Sequence, residues 1–138
     1  MAAAEQMLER FGLRQYRTSR AGVLPEGVRK LLDIAMALAV KPEMLILDEP
    51  TSGVSSDEKF GIMDTVMNAV RSEGVTVLFV EHDMEIVSRY SKRVIAFYEG
   101  RVLADGAPAH VLGDPDVRKY VVGGYVAAHP ASKESARA

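Results

Sequence analysis

The sequence predicts an α/β fold, with helices packed on a mainly parallel sheet and a β-hairpin near the end. Three observations predict it. Two short apolar runs, "MLILD" (44–48) and "VTVLFV" (75–80), are bounded by turn residues, as strands of a parallel sheet are. A segment of helical length, 56–72, separates them and supplies the strand–helix–strand order of a parallel unit. Each run also ends on carboxylates: Asp48 and Glu49 after the first, and Glu81 after the second. Parallel sheets put their chemistry at the carboxyl ends of their strands.

Taken in order, residues 3–11 predict a helix, with Met7, Leu8 and Phe11 at helical spacing. Residues 14–24 are basic and irregular, and Arg14, Arg17 and Arg20 read as a solvated cluster. "GVRKLLDIAMALAV" (27–40) repeats its apolar positions Leu31, Ile34, Ala35 and Leu38 every three or four residues, so it is a second helix. Pro42 pushes Lys41 out of the helical region and ends it. The run 44–48 is apolar up to its closing Asp48, which predicts a strand buried on both faces. Ser55 and Ser56 are cap candidates for helix 56–72, Asp57 and Glu58 suit its first turn, and Gly74 closes it. A second buried strand, 75–80, is rich in β-branched residues. Asp83 is the cap candidate for helix 83–91. "RVIAFY" (93–98), Glu99 and Gly100, then "RVLADG" (101–106) spell a hairpin with a two-residue turn. Two short helices, 107–113 and 115–121, follow, and the polar tail from 127 reads as disordered. The methionines Met36, Met44, Met63, Met67 and Met84 are expected as core filler.

The chain has 138 residues, enough for one compact domain. A formal net charge of −2 argues against nucleic-acid binding through bulk electrostatics. There is no cysteine, which excludes a disulfide framework and cysteine-ligated zinc. No apolar run reaches the roughly 20 residues that span a bilayer. The start, "MAAAEQMLERFGL", lacks the basic-then-apolar pattern of a signal peptide. The expected setting is the cytoplasm, with any membrane role exercised through a partner.

Four apolar residues followed by Asp48 and Glu49 form the Walker B pattern of phosphate-handling ATPases. A rigid strand tip there lets one carboxylate hold magnesium, usually through water, while the next orients an attacking water. The alternative is an acidic pair that caps the next helix or is simply solvated. "LILDEP" with Thr51, Ser52 and Gly53 behind it is more specific than the acidic pair alone. His82, after the second strand, suits a contact to a terminal phosphate; the alternative is a histidine packed at a helix start. His110 and His129 look incidental.

"LDEPTSG", "VLFVEHDMEIV" and "RVIAFYEGRVLADGAPAHVL" together resemble the carboxyl-terminal half of an ABC-transporter ATP-binding subunit. "VEHDMEIV" and "GDPDVRKYVVGG" resemble the branched-chain amino acid importer class, with lipopolysaccharide-export and urea-import ATPases close to it. The resemblance covers roughly residues 4–125 and implies a partial P-loop NTPase layer. Residues 1–126 would be the C-terminal portion of the ATPase domain. Of these, 1–42 would belong to a helical subdomain and 43–126 to the Walker B and His-bearing core, with 127–138 a flexible tail. It implies Asp48 as the magnesium residue, Glu49 as the residue polarising the hydrolytic water, and His82 as the contact to the γ-phosphate. The loop 52–55, with Ser52 and Gly53, would communicate across a dimer. "LPEGVRK" (24–30) falls where the signature motif Leu-Ser-Gly-Gly-Gln is expected, with Leu24 and Gly27 matching it. There, backbone N–H groups at a helix start would meet the phosphate held by the opposite subunit. ATP and Mg2+ are the implied cofactors. The implied partners are a second ATP-binding subunit or second copy and membrane permease subunits, and the implied place is the inner face of the cell membrane.

The sequence also departs from the family. Pro25 stands where the signature serine would donate, and proline offers neither hydroxyl nor N–H. Glu26 puts a negative charge where a phosphate would lie; two unit charges ~4 Å apart at an effective dielectric of ~20 repel by roughly 4 kcal/mol. Val28 replaces the glutamine. No Gly-x-x-x-x-Gly-Lys-[Ser/Thr] segment occurs; Gly22 to Gly27 comes nearest and runs on into Val28 and Arg29. The chain therefore carries the water-activating half of an ATPase and is expected to be inactive alone. In the resembled fold the P-loop strand lies between the strands equivalent to 75–80 and 93–98. Without it, those two are expected to pair directly or to exchange strands with a second copy. The functional expectation is the C-terminal portion of an importer's ATP-binding subunit, for branched-chain amino acids. The alternative is a non-catalytic ABC-derived interaction or regulatory module. A soluble ABC ATPase acting on nucleic acid fits the charge and the importer-like end less well.

Overall fold

The computed structural model describes residues 2–123. The chain forms two compact units, Met1–Glu81 and His82–Ala138. The tail expected from 127 lies outside the described residues.

In the first unit, helix α1 (Ala2–Arg10) leads through short 3-10 turns at Arg14–Tyr16 and Ala21–Val23 into helix α2 (Glu26–Ala39). Arg14 and Arg17 reach back to Glu9 and Glu5 of α1, at 3.7 and 3.0 Å, so part of the basic cluster is ion-paired at the surface. Strand β1 (Met44–Asp48), helix α3 (Ser56–Glu73) and strand β2 (Thr76–Val80) complete the unit. Gly74 ends α3 at φ +68, a conformation glycine adopts without steric cost, and its N–H returns to the carbonyls of Arg71 and Val70. Ser55 takes the cap position of α3, but its hydroxyl binds the Glu58 carboxylate at 2.7 Å rather than a backbone N–H.

Strands β1 and β2 pair in parallel, with Met44 opposite Thr76 and Asp48 opposite Val80. The helices cover one face of this pair. Leu45 and Leu47 sit in a core with Phe11, Ile34, Leu38, Val66 and Val70, and Val77 and Phe79 pack against it. The expectation of burial on both faces is corrected here: Met44, Ile46, Leu78 and Val80 lie on the other face and are 48–66% exposed. A run that is apolar up to its closing residue carries no period, so it cannot reveal how many of its faces are covered. Met63 is fully buried as expected, whereas Met36 and Met44 are exposed and fill no core.

In the second unit, Asp83 caps helix α4 (Met84–Tyr90), its Oδ1 accepting from the N–H groups of Glu85 and Ile86. Strands β3 (Val94–Tyr98) and β4 (Arg101–Gly106) form an antiparallel hairpin with a register shift between Ala96 and Phe97. Its turn residues Glu99 and Gly100 have φ +47 and +76, the signs a two-residue turn of this hand requires. Helices α5 (Pro108–Gly113) and α6 (Pro115–Val117) and a π-helical turn at Arg118–Val122 follow. Ala96, Val111 and Val117 form the core beneath them. Strands β2 and β3 belong to different two-stranded sheets, so the expected direct pairing of 75–80 with 93–98 does not occur. β2 is laddered only to β1 and β3 only to β4, so each keeps a second edge outside these ladders.

Candidate functional site

The tip of β1 builds the site. Alternation along the strand puts Asp48 on the side of Met44 and Ile46, away from the helices, and it is exposed. The ladder runs one residue further, with the Glu49 N–H donating to the Val80 carbonyl at 2.9 Å. The backbone then turns sharply, and Glu49 has φ +44. A non-glycine residue in this region costs roughly 1–2 kcal/mol, so surrounding contacts must hold it there.

Those contacts come from two elements, the end of β2 and α2. At the first, the Thr51 N–H and hydroxyl both donate to Oε1 of Glu81, at 3.0 and 2.6 Å. Thr51 is buried and Glu81 half-buried. From the second, Nζ of Lys30 donates to the Glu49 carbonyl at 3.3 Å and lies 3.2 Å from the Ser52 hydroxyl. The Ser52 N–H donates to the same carbonyl at 3.0 Å. Glu49 is half-buried in the turn that results.

The signature-like segment abuts this loop. Gly53 has φ +71, and a Cβ there would lie 2.8 Å from Oε1 of Glu26. The first-turn carboxylate of α2 thus packs over the glycine of the loop. A Cβ on Gly27 would meet Cδ1 of Ile62 at 2.9 Å, so this glycine lets α2 approach α3 closely. Leu24 is buried, and Pro25 takes the cap position with no side-chain bond to the helix. The first unit therefore sets the loop 49–53, which follows Asp48, against the start of α2 through Lys30 and Glu26; Gly27 lies in that first turn, and Leu24 precedes it, buried. His82 is exposed and opens the second unit, one residue before the α4 cap.

Sequence reasoning placed Glu81 at a strand end and quoted Lys30 and Thr51 within motifs, but gave none of them a role. The signal for Glu81 was the parallel register, since the residue after β2 must lie beside the turn that follows β1. Lys30 had no such signal, because its contact joins elements 19 positions apart.

The donor set at the strand tip also bears on which metal it suits. Among the described residues no three carboxylate or imidazole groups form a metal cage. Mg2+ keeps most of its waters and takes one or two carboxylates together with substrate phosphates, which an exposed strand-tip aspartate such as Asp48 fits.

The family model for ABC transporters matches residues 1–52. A high-affinity branched-chain amino acid transport ATP-binding protein, BraF of Pseudomonas aeruginosa, is 33% identical over 123 residues, 89% of this chain and 48% of BraF. LivG of Escherichia coli K12, which bears the same description, is 32% identical over 87% of this chain and 47% of LivG. Among solved structures, the ADP conformation of MJ1267, an ATP-binding cassette of an ABC transporter, superposes with a TM-score of 0.78 at 31% identity. That superposition takes in 91% of this chain and 49% of MJ1267. The chain thus spans about half the length of these relatives.

Proposed function

Because this chain is part of an ATP-binding domain of the ABC-transporter family, we propose that it is the hydrolytic portion of an importer's ATP-binding subunit. It would couple ATP binding and hydrolysis to movement of permease subunits. The observation that carries this reading is the tip of β1, where Asp48 and a left-handed Glu49 stand side by side on a parallel pair. Asp48 would hold Mg2+ through water, and Glu49 would polarise the water that attacks the terminal phosphate. Bound Mg2+ supplies neutralisation of the phosphate charge. His82 would donate to that phosphate. Leu24, Gly27, Ser52 and Gly53 would face the nucleotide of a second subunit. The names of BraF and LivG support branched-chain amino acids as the transported class. Residues 1–42 would belong to the helical subdomain and 43–126 to the core.

In this reading the exposed face of Met44, Ile46, Leu78 and Val80 receives a polypeptide carrying the phosphate-binding loop. The working partners would be that segment, a second subunit or copy, and a permease. The place of action would be the inner face of the cell membrane. No helix among the described residues is long and apolar enough to cross it.

One observation favours a second reading, a non-catalytic regulatory module. Glu26 sits in the first turn of α2 and packs on Gly53, where an incoming phosphate would meet its charge.

Calorimetric titration with Mg-ATP tests the first reading. The chain alone is expected to show no saturation below about 1 mM, a binding free energy weaker than about 4 kcal/mol. Mixed with the amino-terminal half of BraF, it is expected to bind and hydrolyse ATP, and Glu49→Gln is expected to abolish turnover while binding persists. Turnover that survives Glu49→Gln, or no binding by the mixture, rejects it.

A further inference from the structure

We propose that Glu81 and Lys30 are positioning residues, the two jaws of a clamp that holds the turn 49–52 and so aims Glu49. The proposal rests on the reading of Glu49 as the water-polarising residue, but its geometry stands independently. The turn begins in a costly backbone conformation at Glu49, φ +44. Nothing in the local sequence relieves that cost, since neither glycine nor asparagine occupies the position.

What holds the turn is tertiary. Glu81 follows directly on Val80, whose carbonyl already accepts the Glu49 N–H. Its Oε1 then takes two donors from Thr51, the amide at 3.0 Å and the hydroxyl at 2.6 Å. Hydrogen bonds to a charged acceptor are the stronger kind, and a buried donor left without its acceptor is costly. One carboxylate oxygen thus fixes both the backbone and the side chain of the residue two positions after Glu49. From a different element, α2, Lys30 donates to the Glu49 carbonyl at 3.3 Å and contacts the Ser52 hydroxyl at 3.2 Å. The peptide between Glu49 and Pro50 therefore has its carbonyl held by α2, while Thr51 is held by the end of β2.

Two consequences follow. Glu81, although a carboxylate beside Asp48 and Glu49 at the sheet tip, is committed to Thr51 and is not a second water-activating group. Lys30 ties α2, at the signature-like segment, to the loop that carries Glu49, so a displacement of α2 would be felt at that loop.

The test uses the whole chain without nucleotide, so it does not depend on whether the chain takes part in ATP hydrolysis. Amide hydrogen exchange and the backbone carbon shifts of Glu49, which report its left-handed φ, are measured by NMR. Glu81→Ala is expected to speed exchange of the Thr51 amide by about tenfold or more, the loss of a charge-assisted hydrogen bond. It is also expected to move the Glu49 shifts, while the amides of Val66 and Val70 in the α3 core stay unchanged. Thr51→Ser, which keeps both donors, is expected to retain wild-type protection and shifts. Lys30→Met is expected to move the Glu49 shifts and leave the Thr51 amide protected.

If Glu81→Ala does not fold, Thr51→Val decides the matter, since it removes the hydroxyl leg alone and is expected to move the Glu49 shifts. Loop and core amides accelerating together, or Glu49 shifts unmoved in all these variants, overturns the clamp. Failure of the BraF mixture to hydrolyse ATP would sink the functional reading and leave the clamp standing.

Discussion

Gly53 and Glu49 both take left-handed backbone within the same short loop, at φ +71 and +44, but for different reasons. Gly53 is a residue suited to its conformation, whereas Glu49 is held in one that its side chain disfavours. A substitution at Gly53 therefore isolates backbone strain. Glu26 Oε1 would stand 2.8 Å from an added Cβ, but it ends a flexible, exposed side chain and can swing aside at little cost. The backbone cannot. Gly53→Ala is expected to lower the stability of the first unit by about 1–2 kcal/mol, read as a drop in the urea midpoint. Adding Glu26→Ala, which removes the contacting carboxylate, should not restore it. Recovery in the double variant would show that the cost lies in the side-chain contact. The strain at Glu49 was not legible in the sequence, because a dihedral angle imposed by Glu81, 32 positions away, leaves no local trace.

At the scale of elements, much was legible where a local rule decides. The hairpin followed from the two-residue turn Glu99 and Gly100 between two short strand-like segments, the start of α4 from Asp83, and the end of α3 from Gly74. One-sided burial of β1 and the clamp on its tip were not, since both depend on which distant segments arrive. The hairpin also carries a testable electrostatic device. Arg93 binds Asp105 with two hydrogen bonds, Nε to Oδ1 at 2.7 Å and a terminal nitrogen to Oδ2 at 2.6 Å. The hydrogen bond from Arg93 holds the Asp105 carboxyl below its ordinary value. A carboxyl whose folded pKa is depressed adds stability above its unfolded pKa, about 3.9, and loses it as pH falls through the folded value. The contribution is therefore constant at neutral pH and fades below about pH 4. Arg93→Gln is expected to return Asp105 toward the usual carboxylate range in a carbon-detected NMR titration. An Asp105 titration identical in the variant would show that the pair is not held in solution. Both side chains are exposed, so salt should weaken the effect.

At the scale of the whole molecule, the chain folds two small units, and each leaves apolar sheet surface exposed. Met44, Ile46, Leu78 and Val80 stand on one sheet, and Ile95, Phe97 and Val102 are exposed on the other. Two-stranded sheets are marginal by themselves, and unpaired edges with apolar faces attract further chain. In the first unit the helical layer holds the sheet through Leu45 and Leu47, so the exposed face contributes little to that fold. Its side chains can therefore be changed without emptying the core. The isolated chain is expected to self-associate with rising concentration in sedimentation velocity. Ile46→Thr with Leu78→Thr should weaken that association by at least about tenfold, since each side chain withdrawn from an apolar contact forfeits roughly 1.5–3 kcal/mol. Circular dichroism and the urea midpoint should stay close to wild type, because Ile46 and Leu78 are 66% and 48% exposed and bury little within the chain. The same pair should weaken capture of the amino-terminal half of BraF, which tells a specific receiving surface from a merely sticky one. A substantial fall in the urea midpoint would mean that this face is covered within the chain in solution. Unchanged association would place the contact on another surface.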